Sequence, residues 1–235
     1  MKLNFRLIIL FLTLAATPHG SAKEYLQGGL RIKETIYRQT GPKKGVNSMY
    51  LKKIELKQSR ILGQKPAMRI NKELEKMYAS FYEEARNCRD PQIPNPWGFD
   101  AEFGRINVEN NTLSLTFKIS AICSGQPYFA RFARNFSVSS GAPISPRQML
   151  KKYAPDLLSA GINFRHQFFS LSEDALEYLI EKNEKLFNPE LINSCGYHLH
   201  TAGHQVWLRN GELLIMPTFS QRSSFCFREY PIQTK

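Results

Sequence analysis

The chain lacks any apolar run long enough to span a bilayer. Leu7-Ile-Ile-Leu-Phe-Leu-Thr-Leu-Ala-Ala16 is well short of the ~20 residues that a spanning helix needs, and no later stretch is apolar enough to try. It has no C-x-x-C pair, so its four cysteines are not spaced as a metal site. It has no H-E-x-x-H, no G-x-S-x-G around Ser124-Gly125, no P-loop and no dinucleotide glycine fingerprint. These absences exclude the hydrolases, nucleotide-binding proteins and oxidoreductases that depend on those motifs. There is no internal repeat and no low-complexity tract. Acid is the scarce charge: 20 Asp and Glu stand against 32 Lys and Arg, a formal net charge of +12. That balance favours anionic partners such as lipid headgroups, cell-wall polymers or nucleic acid, the alternative being a basic composition with no binding role.

What is present begins with an export signal. Lys2 and Arg6 precede the short apolar run, and Gly20-Ser21-Ala22 supplies small residues for cleavage. An uncleaved anchor is the alternative. Removing residues 1–22 takes away two cations and no acid, so the formal charge falls to +10 over 213 residues. Export to a periplasm or beyond argues against nucleic acid as the partner. In an oxidising compartment Cys88, Cys123, Cys195 and Cys226 read as two disulfides rather than as thiols. Three pairings are open; Cys88–Cys123 and Cys195–Cys226 are favoured because each brackets one local unit.

The organising stretch is Thr112 to Leu150. Leu113, Leu115, Phe117 and Ile119 alternate with polar residues, which predicts a strand with one face on a core and one in water. A turn at Cys123–Pro127 leads to a second strand, Tyr128–Val138, and Ser145-Pro146 reads as a helix N-cap followed by the first helical residue. Upstream, Leu30–Tyr37 and Tyr50–Leu56 suggest strands. Pro66–Arg86 is a helix by the spacing of Ile70, Leu74, Met77, Tyr78, Phe81 and Ala85, and Tyr82 is expected to join the core stripe. A proline-rich connection follows, in which Trp97 is expected to pack over the core edge. Downstream, Pro155 breaks or bends a short helix, Ser172 caps a helix over Glu173–Leu186, and the remainder reads as strand. Asn210-Gly211 between two apolar runs predicts a hairpin. The expected architecture is α+β: an antiparallel sheet with helices packed on one side, preceded by a small strand-plus-helix unit. The expected division is a signal at 1–22, an N-terminal unit at 23–99 and a larger domain at 100–235.

Arg69-Ile70-Asn71-Lys72, Asn110-Asn111-Thr112-Leu113-Ser114-Leu115, Phe136–Ser145 and Trp207-Leu208-Arg209-Asn210-Gly211-Glu212-Leu213 stand in an order that resembles a known family. It is the domain of unknown function in the extracytoplasmic part of RsiV-type, lysozyme-sensing anti-sigma factors, also found beside some peptidoglycan deacetylases. The resemblance runs from about Tyr50 to Ile232. It implies an envelope-associated binding module for a wall component or a wall-active protein. Family members often carry Gly-Gly-Ala-His in the turn where this chain has Ser124-Gly125-Gln126-Pro127, so no role of that histidine carries over. A basic chain and a basic lysozyme also repel in encounter.

Two candidate sites follow from residue types. Lys118, Arg131, Arg134, Arg147, Lys151, Arg222 and Arg228, with Lys152, interleave with Tyr128, Phe129 and Phe132 and are candidates for binding an anionic polymer or protein. His198, His200 and His204 are candidates for zinc or copper, because His198 and His200 would share one side of a strand. The leading expectation is a non-enzymatic binding module without a cofactor. The rivals are a metal-assisted envelope hydrolase and an inhibitor of a lysozyme-like hydrolase.

Overall fold

The computed structural model describes residues 19–40, 48–88, 97–123, 126–187, 189–218, 226 and 228–233. The expected export segment falls on residues 1–18, outside that set, and on His19–Ala22, which open the first strand.

Strands β1 (His19–Gln27), β2 (Leu30–Thr40) and β3 (Ser48–Lys57) run antiparallel, with glycines at positive φ (Gly28, Gly29) turning the chain between the first two. Helix α1 (Gln64–Cys88) crosses over to β4 (Gly98–Glu109), which lies parallel to β3. The antiparallel strands β5 (Thr112–Cys123), β6 (Gln126–Ser137) and the short β7 (Pro143–Ile144) complete a seven-stranded sheet in chain order. Residue 99 therefore lies within this sheet, on the strand that pairs with both β3 and β5.

The chain then passes through α2 (Pro146–Tyr153) and α3 (Pro155–Ser159) into a second sheet. That sheet is made of β8 (Ile162–Arg165), β9 (Phe168–Leu171), β10 (Gly203–Arg209), β11 (Glu212–Thr218) and β12 (Tyr230–Gln233). Helices α4 (Glu173–Lys182) and α5 (Pro189–Thr201) lie between β9 and β10 in sequence. The architecture is α+β, as expected.

Local chemistry explains the elements. Ser145 and Gln148 form a reciprocal capping box at α2, and Ala154 separates α2 from α3, which opens with Pro155. Ser172 accepts from the Ala175 N–H at the start of α4. Asn110-Asn111 and Asn210-Gly211 all have positive φ, the backbone that two-residue hairpin turns require. Disulfides join Cys88 to Cys123 and Cys195 to Cys226.

Each sheet has its own core. On the first, α1 buries Ile70, Leu74, Met77, Tyr78, Phe81 and Ala85 against Leu113, Leu115, Phe117 and Ile119. Trp97 packs at the edge of this core as expected, whereas Tyr82 is exposed, one position round the helix from Phe81. On the second, Leu150, Leu157, Leu179, Leu199 and Val206 cluster with Cys195 and Cys226.

Two expectations are corrected. The polar face of β5 is not in water: Thr112, Ser114 and Thr116 are buried, because β10 packs across that face. Residues 189–201, read as extended, form α5; Cys195, Leu199 and Ala202 are buried at helical spacing, and the disulfide anchors the helix.

Polar side chains finish the strand edges that no strand covers. Beyond Leu51, β3 has no β4 partner, and α1 takes over. Asn71 accepts the Leu56 N–H and donates to the Leu56 carbonyl, each at 2.8 Å, and Tyr78 accepts the Ile54 N–H. On β10, Ser114 accepts the Leu208 N–H and Asn135 donates to the Val206 carbonyl. Backbone groups buried without such partners would be costly.

Candidate anion-binding groove

A groove of about 450 Å³ lies where the two sheets meet, within the size range of small-ligand sites. Its walls come from α1 (Glu73, Lys76, Met77), β6 (Ala133 to Phe136) and β7 with the start of α2. The β8–β9 turn (His166, Gln167) and β10 (Gln205, Val206) close it. Each element is there for a local reason. Met77 belongs to the core stripe of α1, one turn from Glu73 on the same side of the helix. β7 pairs with β6 only at Asn135 and Phe136, so the β6 edge stays open beside Ala133 and Arg134. His166 holds positive φ in the tight turn between β8 and β9.

Arg134 is the notable charge. It sits opposite Leu115, on the side of β6 that faces α1, and is half-buried. Burial holds its guanidinium below the ordinary arginine pKa. Among the described residues no carboxylate pairs with it; its one hydrogen bond goes from Nη1 to the Ala133 carbonyl at 2.9 Å. The groove's acid, Glu73, is engaged by Lys76 at 2.8 Å on the rim. Gln205, 2% exposed, accepts the Ala133 N–H through Oε1 at 2.5 Å, and its Nε2 has no partner. The groove therefore offers donors and one uncompensated positive charge.

The other expected basic residues are spread out. Lys118 and Arg131 form a cross-strand pair further along β5 and β6, with Glu102 opposite Lys118 on β4. Arg147 lies over the Phe164 ring at 4.3 Å, beside the groove in sequence. Lys151 is exposed on α2, and Lys152 donates to the Asn110 carbonyl at 2.8 Å. Arg228 reaches the Leu186 carbonyl at 3.5 Å, and Arg222 lies outside the described residues.

The three histidines are not brought together as expected. His198 and His200 sit on a helix, where two positions are about 200° apart, so they do not share a side. His198 packs edge-on to Tyr197, and His200 is exposed. His204 is fully buried on β10 and stacks on Phe169. Among the described residues no three His, Cys, Asp or Glu side chains gather as a metal set.

Lys76, Gln148, His166 and Gln205 were not singled out by sequence reasoning. Gln205 carried a faint signal, a long polar side chain opening the apolar run Gln205-Val-Trp-Leu. Its partner, Ala133, carried none.

Fold and site define an α+β protein with two disulfides and a groove between two sheets that combines apolar walls with a few polar groups. Among the described residues no helix is long and apolar enough to cross a membrane. No family model and no curated protein matches the chain. It is similar to the crystal structure of a member of the DUF3298 family from Bacteroides fragilis. The identity is 11%, the TM-score is 0.49, and the match covers 88% of this chain and 91% of the other. That likeness carries no functional argument.

Proposed function

We propose that the chain is an exported, non-enzymatic cell-envelope binding module that takes an anionic wall component into the groove between its sheets. The observation that carries this reading is Arg134, a half-buried guanidinium with no carboxylate partner among the described residues. A half-buried charge with no internal counter-ion gains from meeting an anion, and an external anion is the partner the groove has room for. The net positive charge draws such a ligand in, and two disulfides fit an oxidising compartment outside the cytoplasm. The resemblance to the extracytoplasmic domain of RsiV-type anti-sigma factors supports the same setting. A histidine-based hydrolase has no comparable support, because α5 keeps His198 and His200 on different sides.

The test is co-sedimentation of the oxidised protein with purified sacculi over a salt series. Wild type is expected to pellet at low salt, to fade as salt rises and to release no fragments, while Arg134→Ala stays in the supernatant. Failure to pellet at any salt concentration overturns the wall reading and turns the search to a wall-active protein. Fragment release overturns the non-enzymatic one.

A further inference from the structure

Ala133 brings the two key groups of the groove together. Its N–H is taken by Gln205 and its carbonyl by Arg134, so the amide and the guanidinium flank the edge of a single residue. The first bond also fixes the amide: Oε1 has to face the Ala133 N–H, which leaves Nε2 as the atom turned away from that N–H. That N–H₂ group is buried and unpartnered. Arg134 spends one of its five N–H groups on Ala133 and pairs with no carboxylate among the described residues. The two unfilled groups beside Ala133, the Gln205 N–H₂ and the remaining guanidinium N–H groups, are both donors. An occupant must bring acceptors and negative charge.

The walls narrow the class further. Met77, Phe136, Ile144 and Val206 are apolar, so the occupant has an apolar body. One guanidinium matches one negative charge, and its planar fork matches a carboxylate. With Lys76 engaged by Glu73, no second free cation lines the groove for a dianion such as phosphate among the described residues. A neutral amide N–H₂ beside the guanidinium matches a peptide carbonyl one bond unit back from that carboxylate.

We infer that the groove is a subsite for the free terminal carboxylate of a short apolar peptide, with Arg134 holding the carboxylate and Gln205 Nε2 donating to the adjacent peptide carbonyl. This rests on the groove being the binding site of the module proposed above, and it names the ligand's chemistry. A stem peptide of the wall and the C-terminus of a protein both present it.

The experiment is titration calorimetry of the oxidised protein with N-acetyl-dialanine in its L,L and D,D forms, with the corresponding C-terminal amides, and with inorganic phosphate. The expected result is saturable one-to-one binding of a free acid and at least ten-fold weaker binding of its amide. Tighter binding of the D,D acid identifies a wall stem peptide as the source, and tighter binding of the L,L acid identifies a protein terminus. Arg134→Ala is expected to lose binding. Gln205→Glu is expected to lose it with an unchanged melting temperature, because its carboxylate still accepts the Ala133 N–H and supplies Arg134 with an internal partner. Equal binding of acid and amide, phosphate binding as tight as the acid, or no binding of either acid overturns the inference. If sacculi still pellet wild type but not Arg134→Ala while neither acid binds, the peptide-carboxylate class falls and the envelope reading stands. If an acid binds and sacculi do not pellet the protein, the wall reading falls and the carboxylate subsite stands.

Discussion

Asn135 and Val206 tie the two sheets together: Asn135 Nδ2 donates to the Val206 carbonyl at 2.8 Å. The contact is part of a relay. Ser114 Oγ donates to Asn135 Oδ1 at 2.6 Å and accepts the Leu208 N–H at 3.0 Å. All of it is buried. Removing the serine hydroxyl strands a backbone N–H and an amide oxygen away from water. Ser114→Ala is expected to cost about 2–3 kcal/mol in urea unfolding, and Asn135→Ala is expected to add less than its single effect on top. Full additivity would mean that the two side chains act separately.

Gly141 has φ +69°, and a Cβ there would lie 2.4 Å from the Pro66 carbonyl oxygen at the start of α1. Both backbone strain and a backbone clash oppose a side chain. Gly141→Ala is expected to lower stability by about 2–4 kcal/mol. Gly28 has φ +57° with open space around it, so Gly28→Ala is expected to cost only about 1 kcal/mol. Thermal melts of the two variants separate clash from strain.

His204 gives the stability a pH dependence. Burial pushes its pKa from 6.5 down to about 4, opposed in part by the nearby backbone of Phe169 and Ala202, and neither ring nitrogen makes a well-aligned hydrogen bond. Between those values the unfolded chain binds the proton and the folded chain does not. The stability from keeping His204 neutral is therefore complete above about pH 6.5, declines as pH falls and is lost through about pH 4, an effect of about 3 kcal/mol. Urea unfolding at neutral and acidic pH, compared with His204→Phe, checks this. A variant with an undiminished pH slope would assign the dependence to other groups.

Cys88–Cys123 and Cys195–Cys226 close segments with sequence separations of 35 and 31. Replacing either pair with serines is expected to cost about 3–4 kcal/mol. Denaturant melts of the two double variants test it, and the Cys195–Cys226 variant should also loosen α5, seen as faster amide exchange over 195–201. Unchanged exchange there would show that burial alone holds the helix.

The legible parts of this fold are those whose causes lie within a few residues. The stripe from Ile70 to Ala85 marked α1, the N-cap Ser145 followed by Pro146 marked α2, and Asn210-Gly211 marked the last hairpin. The turn at His166-Gln167 carried no such signal, because neither residue is a usual turn former. Residues 189–201 misled because the stripe of Cys195, Leu199 and Ala202 is thin and two histidines at even spacing imitate a strand. Ser114 and Asn135 misled in the opposite way. Alternating polarity says that a face is polar without saying whether water or another sheet satisfies it.

The sequence by itself determined the class and many of the elements: strands by alternation, helices by stripe and cap, hairpins by residues that tolerate positive φ. Those choices rest on torsional and hydrogen-bonding preferences between near neighbours. Only the tertiary structure decided that Arg134 meets no carboxylate and that Gln205 meets Ala133, 72 residues away in sequence. The packing of β10 across β5 and β6 set both, leaving a half-buried arginine and a buried glutamine amide as donors with room for an acceptor.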